Sequence, residues 1–219
     1  MAGRYHRLDE LPKQIPLFPL SGALLLPRTD LPLNVYEPRY LMMIEQAMAG
    51  DRIVGMIQPL PDDSSAKPKL ETIGCAGRIT SYSETDDGRL LITITGISRF
   101  KLKREPRVKT PFRQGVVDFK PFAADLVVGT GAPSVNREQL LEAFRQYLAA
   151  NNMTTNWEEV NAVGTEVLVN TLSLLAPYPP KEKQALLEAP DLKARADVLV
   201  ALTELALKKS LGGSSTRMQ

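Results

Sequence analysis

Few residues in this chain are of types that carry out chemistry, and their spacing favours structural roles. The single histidine, His6, lies in a polar N-terminal stretch, where no rigid catalytic geometry is expected. The single cysteine, Cys75, alternates with Ile73 and Ile79 in a strand-like pattern, which favours a buried thiol over a nucleophile. The remaining candidates are two pairs of adjacent acids in polar turn segments, Asp62-Asp63 and Asp86-Asp87. We therefore predict no catalytic residue, no metal site and no cofactor.

Composition is that of a globular protein without a strong charge bias. The 219 residues are 43% hydrophobic and 24% charged, and the formal net charge is +2. So small a net charge does not by itself indicate a nucleic-acid or membrane partner. One cysteine excludes an internal disulfide, and residues 1–14 lack the apolar core of a signal peptide. No apolar run approaches the length of a membrane span. These features predict a soluble, cytoplasmic protein.

The elements that must position any site begin with a proline-rich, apolar stretch, residues 15–40. Its prolines fix φ and remove backbone donors, so its short apolar runs predict edge or terminal strands joined by stiff corners. A helix is predicted to begin at Pro38, with apolar residues at helical spacing. A buried strand at 52–58 and an exposed loop at 59–69 follow.

The next part of the chain alternates apolar and polar residues and predicts a hairpin. Residues 73–79 form its first strand, Asp86-Asp87-Gly88 its turn, and the return strand begins at Leu90. One more strand is predicted within 112–119. A barrel-like or strongly coiled antiparallel sheet would hide the edges of so many strands.

Residues 121–133 are rich in Gly, Ala and Pro and predict a linker, after which the pattern is helical. Four helices are predicted: one capped by Asn136, one from Trp157 to Leu172, a short one at 181–189 and one at 191–208. The predicted organisation is a flexible arm (1–13), a β domain (14–120), the linker, a helical subdomain (134–210) and a flexible tail (211–219). The fold class is thus α+β, with one early helix and a C-terminal helical bundle.

Several ordered blocks also carry a resemblance to a known family. They are residues 16–20 (PLFPL), 31–33 (LPL), 37–40 (EPRY), 73–79 (IGCAGRI), 87–89 (DGR), 96–100 (GISRF) and 180–188 (PKEKQALLE). In this order they are similar to the N-terminal, substrate-binding domain of the Lon protease family. The resemblance implies a PUA-like β fold followed by a helical part.

A complete Lon protease also needs an ATPase module and a serine–lysine peptidase domain, and neither is recognisable in these 219 residues. Residues 50–57 have the glycine spacing of a phosphate-binding loop but lack its lysine. The chain therefore resembles a stand-alone member of the family without catalytic domains. We expect a non-catalytic module that binds client or misfolded polypeptides and presents them to a separate protease. A competing hypothesis is that the chain is a hydrolase whose catalytic residues are not recognisable in the sequence.

Candidate partner-binding residues come from the proline-rich corners. They are Leu24, Leu26, Pro27, Glu37, Arg39 and Tyr40, with the 59–69 loop expected to rim the same groove. Glu37 and Arg39 are also expected to form an ion pair that pins the helix start to the sheet.

The alternative function is RNA or nucleotide binding, because PUA-like folds include RNA binders. The basic strand 99–109 would supply the phosphate contacts. The candidate residues are Arg99, Lys101, Lys103, Arg104 and Arg107. Against this function, the charges alternate with apolar residues, as in a soluble edge strand, and no aromatic series for base stacking accompanies them.

Overall fold

The computed structural model describes the backbone of residues 5–214 and the side chains through residue 208. Contacts divide the chain into two compact units. Unit 1 runs through Val128 and also includes Pro177–Leu187, and unit 2 comprises Gly129–Ala176 and the chain from Glu188 onward. The division after Val128 falls within the segment predicted as a linker.

Unit 1 is built on a six-stranded sheet with one long helix. The strands are β1 (Gln14–Pro19), β2 (Asp30–Val35), β3 (Ile53–Ile57), β4 (Ile73–Glu84), β5 (Leu90–Arg104) and β6 (Gln114–Asp118). Helix α1 (Pro38–Met48) begins with proline at its first position, where the missing N–H would have had no helical partner. No strand forms at residues 23–26, although the apolar run there predicts one.

The strand order is β2-β5-β4-β3-β1-β6, and β6 also pairs with β5. Five strands therefore form a closed ring of pairings, which removes most free edges. Strand β2 stands outside that ring and pairs, among the described strands, only with β5. The sequence predicts an antiparallel sheet, and this is wrong for one pairing, because β1 and β3 pair in parallel. The chain between them passes through β2 and α1, and such a crossover lets two strands run the same way.

Strand β5 bends at a bulge around Ile97. Gly77 pairs with Gly96 and Ala76 with Ser98, so Ile97 is an extra residue on the β5 side. A Cβ at Gly96 would lie 2.0 Å from the Leu26 carbonyl oxygen, so only glycine allows the 26–28 backbone to approach this closely.

One cluster of the unit 1 core draws buried apolar residues from all five strands of the ring and from the segments before β1 and after β6. Its buried members are Leu11, Ile15, Leu17, Ile53, Ile57, Ala76, Phe100, Val117 and Phe119. The Phe100 and Phe119 rings meet edge to face with centroids 6.3 Å apart. Tyr5 and Leu8 pack against this cluster and Leu11 belongs to it. Tyr5, Leu8 and Leu11 therefore contact the core within the segment that the sequence predicts as a flexible arm; residues 1–4 lie outside the described residues.

Unit 2 is helical. Its helices are α2 (Arg137–Ala150), α3 (Trp157–Ala162), α4 (Thr165–Leu175) and α6 (Leu192–Ser214), and α2 and α4 both pack on α6. The Asn136 side chain caps α2 by accepting from the Gln139 amide at 3.1 Å. The single helix predicted from Trp157 to Leu172 is two helices, because the backbone is extended at Val163 and Gly164. The predicted tail is helical as far as Ser214, and residues 215–219 lie outside the described residues.

Helix α5 (Pro180–Glu188) belongs to unit 1 through residue 187, although the sequence places it in the helical subdomain. Two buried glutamines explain this. The Gln58 side chain donates to the Pro180 carbonyl at 3.0 Å and to Gln184 Oε1 at 3.1 Å. Gln184 in turn donates to the Ile73 carbonyl at 3.1 Å.

Both the mixed sheet and the helices fit the predicted α+β class.

Candidate functional site

A pocket of about 220 Å³ lies in unit 1 where the end of β1, the end of β2 and the start of α1 meet. We call it the β2 pocket. It is lined by Phe18, Pro19, Leu20, Leu33, Asn34, Val35, Tyr36, Glu37, Arg39 and Tyr40. Apolar and aromatic side chains dominate, with one acid and one base among them. Such a lining suits an apolar side chain of a ligand.

The pocket floor is an aromatic pair. The rings of Phe18 and Tyr40 lie 4.4 Å apart by their centroids, and both side chains are buried. Tyr40 is on the first turn of α1, so the proline-started helix and strand β1 together place the pair. Burial raises the pKa of the Tyr40 phenol above its ordinary value. The hydroxyl is therefore a donor at neutral pH, and it donates a long bond of 3.5 Å to the Pro19 carbonyl.

Glu37 and Arg39 form the expected ion pair, but not the expected link to the sheet. Arg39 Nη2 lies 2.8 Å and its Nε 2.9 Å from Glu37 Oε2. Both side chains are about half exposed, so the pair is worth little to stability. The Arg39 guanidinium also lies 4.5 Å from the Tyr40 ring centroid. The pair thus holds two rim residues next to the aromatic floor.

Among the described strands, none pairs with the outer edge of β2 beside this pocket. The Gly96 amide donates to the Thr29 carbonyl at 2.9 Å, which marks Thr29–Gly96 as a bonded antiparallel pair. Bonded and non-bonded pairs alternate, so Leu31, Leu33 and Val35 direct their backbone groups at β5. Asp30, Pro32 and Asn34 direct theirs away from the sheet. Pro32 has no N–H, and at this position no hydrogen bond to β5 is lost, as expected for a proline within a strand.

Tyr36 is the most exposed aromatic group of the β2 pocket. Its side chain is 65% exposed, and the Arg89 guanidinium lies 5.8 Å from its ring centroid. Sequence reasoning did not single out Tyr36. The sequence does contain a signal for it, because an aromatic residue directly follows a strand in which the more buried side chains are those of Leu31, Leu33 and Val35.

The structure separates the candidate partner-binding residues into two groups. Glu37, Arg39 and Tyr40 come together at the β2 pocket. The side chains of Leu24, Leu26 and Pro27 are buried, so they stabilise the fold and present no surface to a partner. Thr29 fixes their corner by accepting from the Leu26 amide and donating to its carbonyl. The 59–69 loop does not line the pocket.

The basic set is also divided. Arg99 is 3% exposed, and its guanidinium binds both carboxylate oxygens of Asp125. Lys103 pairs with Asp118 at 3.1 Å. Lys101, Arg104 and Arg107 are exposed. Because a buried guanidinium cannot reach a phosphate, Arg99 drops out of the predicted nucleic-acid patch.

Residues that could do chemistry lie apart from one another. Cys75 is fully buried. Asp63 accepts from the Ser65 and Lys69 amides, as a turn-forming side chain does. Among the residues that the structure describes, no three His, Cys, Asp or Glu side chains are grouped closely enough to hold a metal ion. Within that same part of the chain, no helix has the length and apolar character needed to cross a membrane.

Comparison with known proteins places this geometry in a family. Residues 14–204 match the model of the ATP-dependent protease La (LON) substrate-binding domain. The Lon protease of Flavobacterium johnsoniae is 25% identical over 207 residues, which are 92% of this chain and 25% of that protein. The Lon protease of Desulfosudis oleivorans is 28% identical over 113 residues, which are 48% of this chain and 14% of that protein. The chain thus spans a quarter or less of these relatives.

Two solved structures share the fold. The Lon N-terminal domain protein from Xanthomonas campestris has a TM-score of 0.61 at 22% identity, over 86% of this chain and 97% of that one. The N-terminal domain of the Mycobacterium avium complex Lon protease has a TM-score of 0.65 at 18% identity, over 88% and 98% respectively. The matched region is the substrate-binding domain and not the peptidase domain. The chain belongs to the ATP-dependent protease La (LON) substrate-binding domain family.

Proposed function

We propose that this chain is a non-catalytic module that binds exposed apolar segments of client polypeptides at the β2 pocket and along the open edge of β2. Membership of a substrate-binding family supports a recognition role. The observation that carries the proposal is the position of the pocket directly beside an unpaired strand edge.

The two features suit one extended peptide. A strand added beside β2 would bond to the outward backbone groups of Asp30, Pro32 and Asn34, which gives affinity without demanding a sequence. Alternate side chains of the same peptide would enter the β2 pocket, over the Phe18–Tyr40 pair. Pro32 removes one donor from this edge, which weakens pairing of two copies of the chain with each other. Recognition would therefore favour apolar residues at every second position.

The test is binding of a fluorescently labelled, extended apolar peptide, followed by anisotropy. Tyr36→Ala is expected to lower affinity about fivefold, since interface aromatics often contribute ~1 kcal/mol or more. The matched control is Tyr82→Ala, which removes another exposed tyrosine, 42% exposed, from β4 outside the pocket. Equal affinity of the two variants would refute the β2 pocket as the binding site.

Asn34→Pro tests the strand edge separately. It removes an outward N–H while leaving the bonds between β2 and β5 in place, as Pro32 already does. We expect weaker peptide binding with little change in the unfolding midpoint. Unchanged peptide affinity in a folded Asn34→Pro protein would show that the edge takes no part.

We further propose that bound clients are presented to a separate protease. This rests on the relatives, which are named Lon proteases and in which the matched region is a quarter or less of the protein. Adding the purified chain to a cytosolic extract is expected to speed ATP-dependent loss of an apolar client, and Tyr36→Ala to speed it less. An unchanged rate of loss would contradict presentation.

A further inference from the structure

Unit 1 contains a second pocket of about 360 Å³ that shares no lining residue with the β2 pocket. We call it the Arg78 pocket. Its lining residues are Tyr5, His6, Arg28, Arg78, Thr95, Gly96, Ile97, Leu126, Val127 and Val128. The volume is at the lower end of the roughly 300–1,000 Å³ typical of ligand sites. It therefore suits a small group or the last one or two residues of a chain.

The bulge in β5 builds the base of this pocket. Ile97 is the extra residue there, and Gly96 lets the backbone of residues 26–28 approach. The Arg28 amide donates to the Gly96 carbonyl at 2.8 Å, and Arg28 has a left-handed φ of 63°. A non-glycine residue adopts this conformation only where its surroundings fix it, and such residues cluster at functional sites.

The polar side of the pocket favours an anion. Arg78 Nη1 donates to the Tyr5 hydroxyl at 2.8 Å and to the Asp51 carbonyl at 3.1 Å, both of which are neutral oxygens. Within the described part of the chain, no carboxylate forms an ion pair with Arg78. None of the lining residues is an acid. The half-buried Arg78 therefore lines a pocket in which no lining acid balances its positive charge.

The opposite side is apolar. Ile97, Leu126, Val127 and Val128 line it, and Val127 and Val128 are 60% and 55% exposed. An occupant must therefore combine an anionic group with a short apolar one. A chain terminus meets both requirements, because its carboxylate lies two bonds from its last side chain.

We propose that the Arg78 pocket binds the C-terminal carboxylate of a client polypeptide that ends in an apolar residue. A guanidinium can bind a carboxylate through two parallel N–H donors, and Arg78 lines the pocket together with the polar side chains of Tyr5 and His6. The last side chain packs against Val127 and Val128. This inference rests on the proposed function, because the occupant is a client, and it adds a preference for chain ends to recognition of internal segments.

The experiment compares one labelled apolar peptide in two forms, with a free C-terminal carboxylate and with a C-terminal amide. The full chain is expected to bind the acid about tenfold more tightly than the amide, the usual effect of a hydrogen-bonded charge. Arg78→Gln is expected to bind both forms equally. Arg104→Gln, which removes an exposed arginine of the same strand pair outside the pocket, is expected to keep the preference.

Equal binding of acid and amide by the unaltered chain would overturn the inference, whether or not Arg78→Gln folds. A preference for the acid that survives in folded Arg78→Gln would also overturn it. Inorganic phosphate is added as a competitor; if it removes the preference at concentrations where N-acetyl-leucine does not, the pocket is a phosphate site and the inference is wrong. Tyr36→Ala is expected to weaken acid and amide alike, so failure at the β2 pocket is distinguishable from failure here.

Discussion

Arg99 and Asp125 form a buried ion pair in which two guanidinium nitrogens bind the two carboxylate oxygens. Arg99 Nη2 and Nε lie 2.8 and 2.9 Å from the two carboxylate oxygens, and the Arg99 amide also donates to Asp125 at 2.9 Å. The guanidinium stacks over the Phe122 ring at 4.4 Å and donates to the Leu187 carbonyl at 3.1 Å. One pair thus joins β5, the 3₁₀ segment Lys120–Leu126 and α5 within unit 1.

Removing one partner of this pair is expected to be costly. Asp125→Ala leaves the Arg99 charge buried, and breaking a buried pair typically destabilises by about 3–5 kcal/mol. Urea unfolding followed by circular dichroism measures the effect. The control is Asp87→Asn at an exposed pair with Arg89, which is expected to move the midpoint little. Similar midpoints for the two variants would contradict the structural role assigned to Arg99.

Glycine at position 96 is expected to be required by the fold. Gly96→Ala would place a Cβ 2.0 Å from the Leu26 carbonyl oxygen, and forcing a backbone apart costs about 1–3 kcal/mol or more. Gly50→Ala is the matched control, because its Cβ would meet nothing closer than 3.9 Å. Thermal unfolding of both variants tests this difference. A stability for Gly96→Ala equal to that of Gly50→Ala would show that the 26–28 segment is not held against β5.

Asp63 is expected to titrate far below an ordinary aspartate. Hydrogen bonds from the Lys69 and Ser65 amides lower the pKa of its carboxyl from 3.8 to about 2. Because the pKa of Asp63 is lower in the folded than in the unfolded chain, the ionised carboxylate stabilises the folded loop. This contribution is fully present above pH 3.8 and is lost as pH falls through about 2. The Asp63 carboxyl carbon and the Lys69 amide proton should therefore shift together in an NMR titration. A shared midpoint near 3.8 would mean that these bonds do not form.

Much of the fold could be predicted because its signals are local. Pro38 marks the start of α1, and Asp87-Gly88 marks the β4–β5 turn. The alternation from Leu90 onward marks β5. The parallel pairing of β1 with β3 carries no such local signal, because it depends on where the intervening segments pack. The break at Val163 and Gly164 was likewise hidden by an apolar pattern that continues across it.

The candidate site was predictable only in part, because burial is decided by partners distant in sequence. Leu24, Leu26 and Tyr40 all lie close to prolines in the sequence, which does not distinguish them. In the structure, the segment that contains Leu24 and Leu26 packs against β5, and both side chains are buried. Arg99 stands in an alternating basic strand, and its partner Asp125 is far along the chain. The Arg78 pocket draws on five separate segments, so no spacing in the sequence could reveal it.

The central claim is that clients bind at the open edge of β2, and residue-resolved amide exchange tests it most directly. Leu31 and Leu33 direct their amides at β5, whereas Asp30 and Asn34 direct theirs outward. Addition of an apolar client peptide is expected to slow exchange at Asp30 and Asn34 and to change Leu31 and Leu33 little. Saturating peptide that leaves Asp30 and Asn34 unprotected while protecting amides elsewhere would contradict the claim.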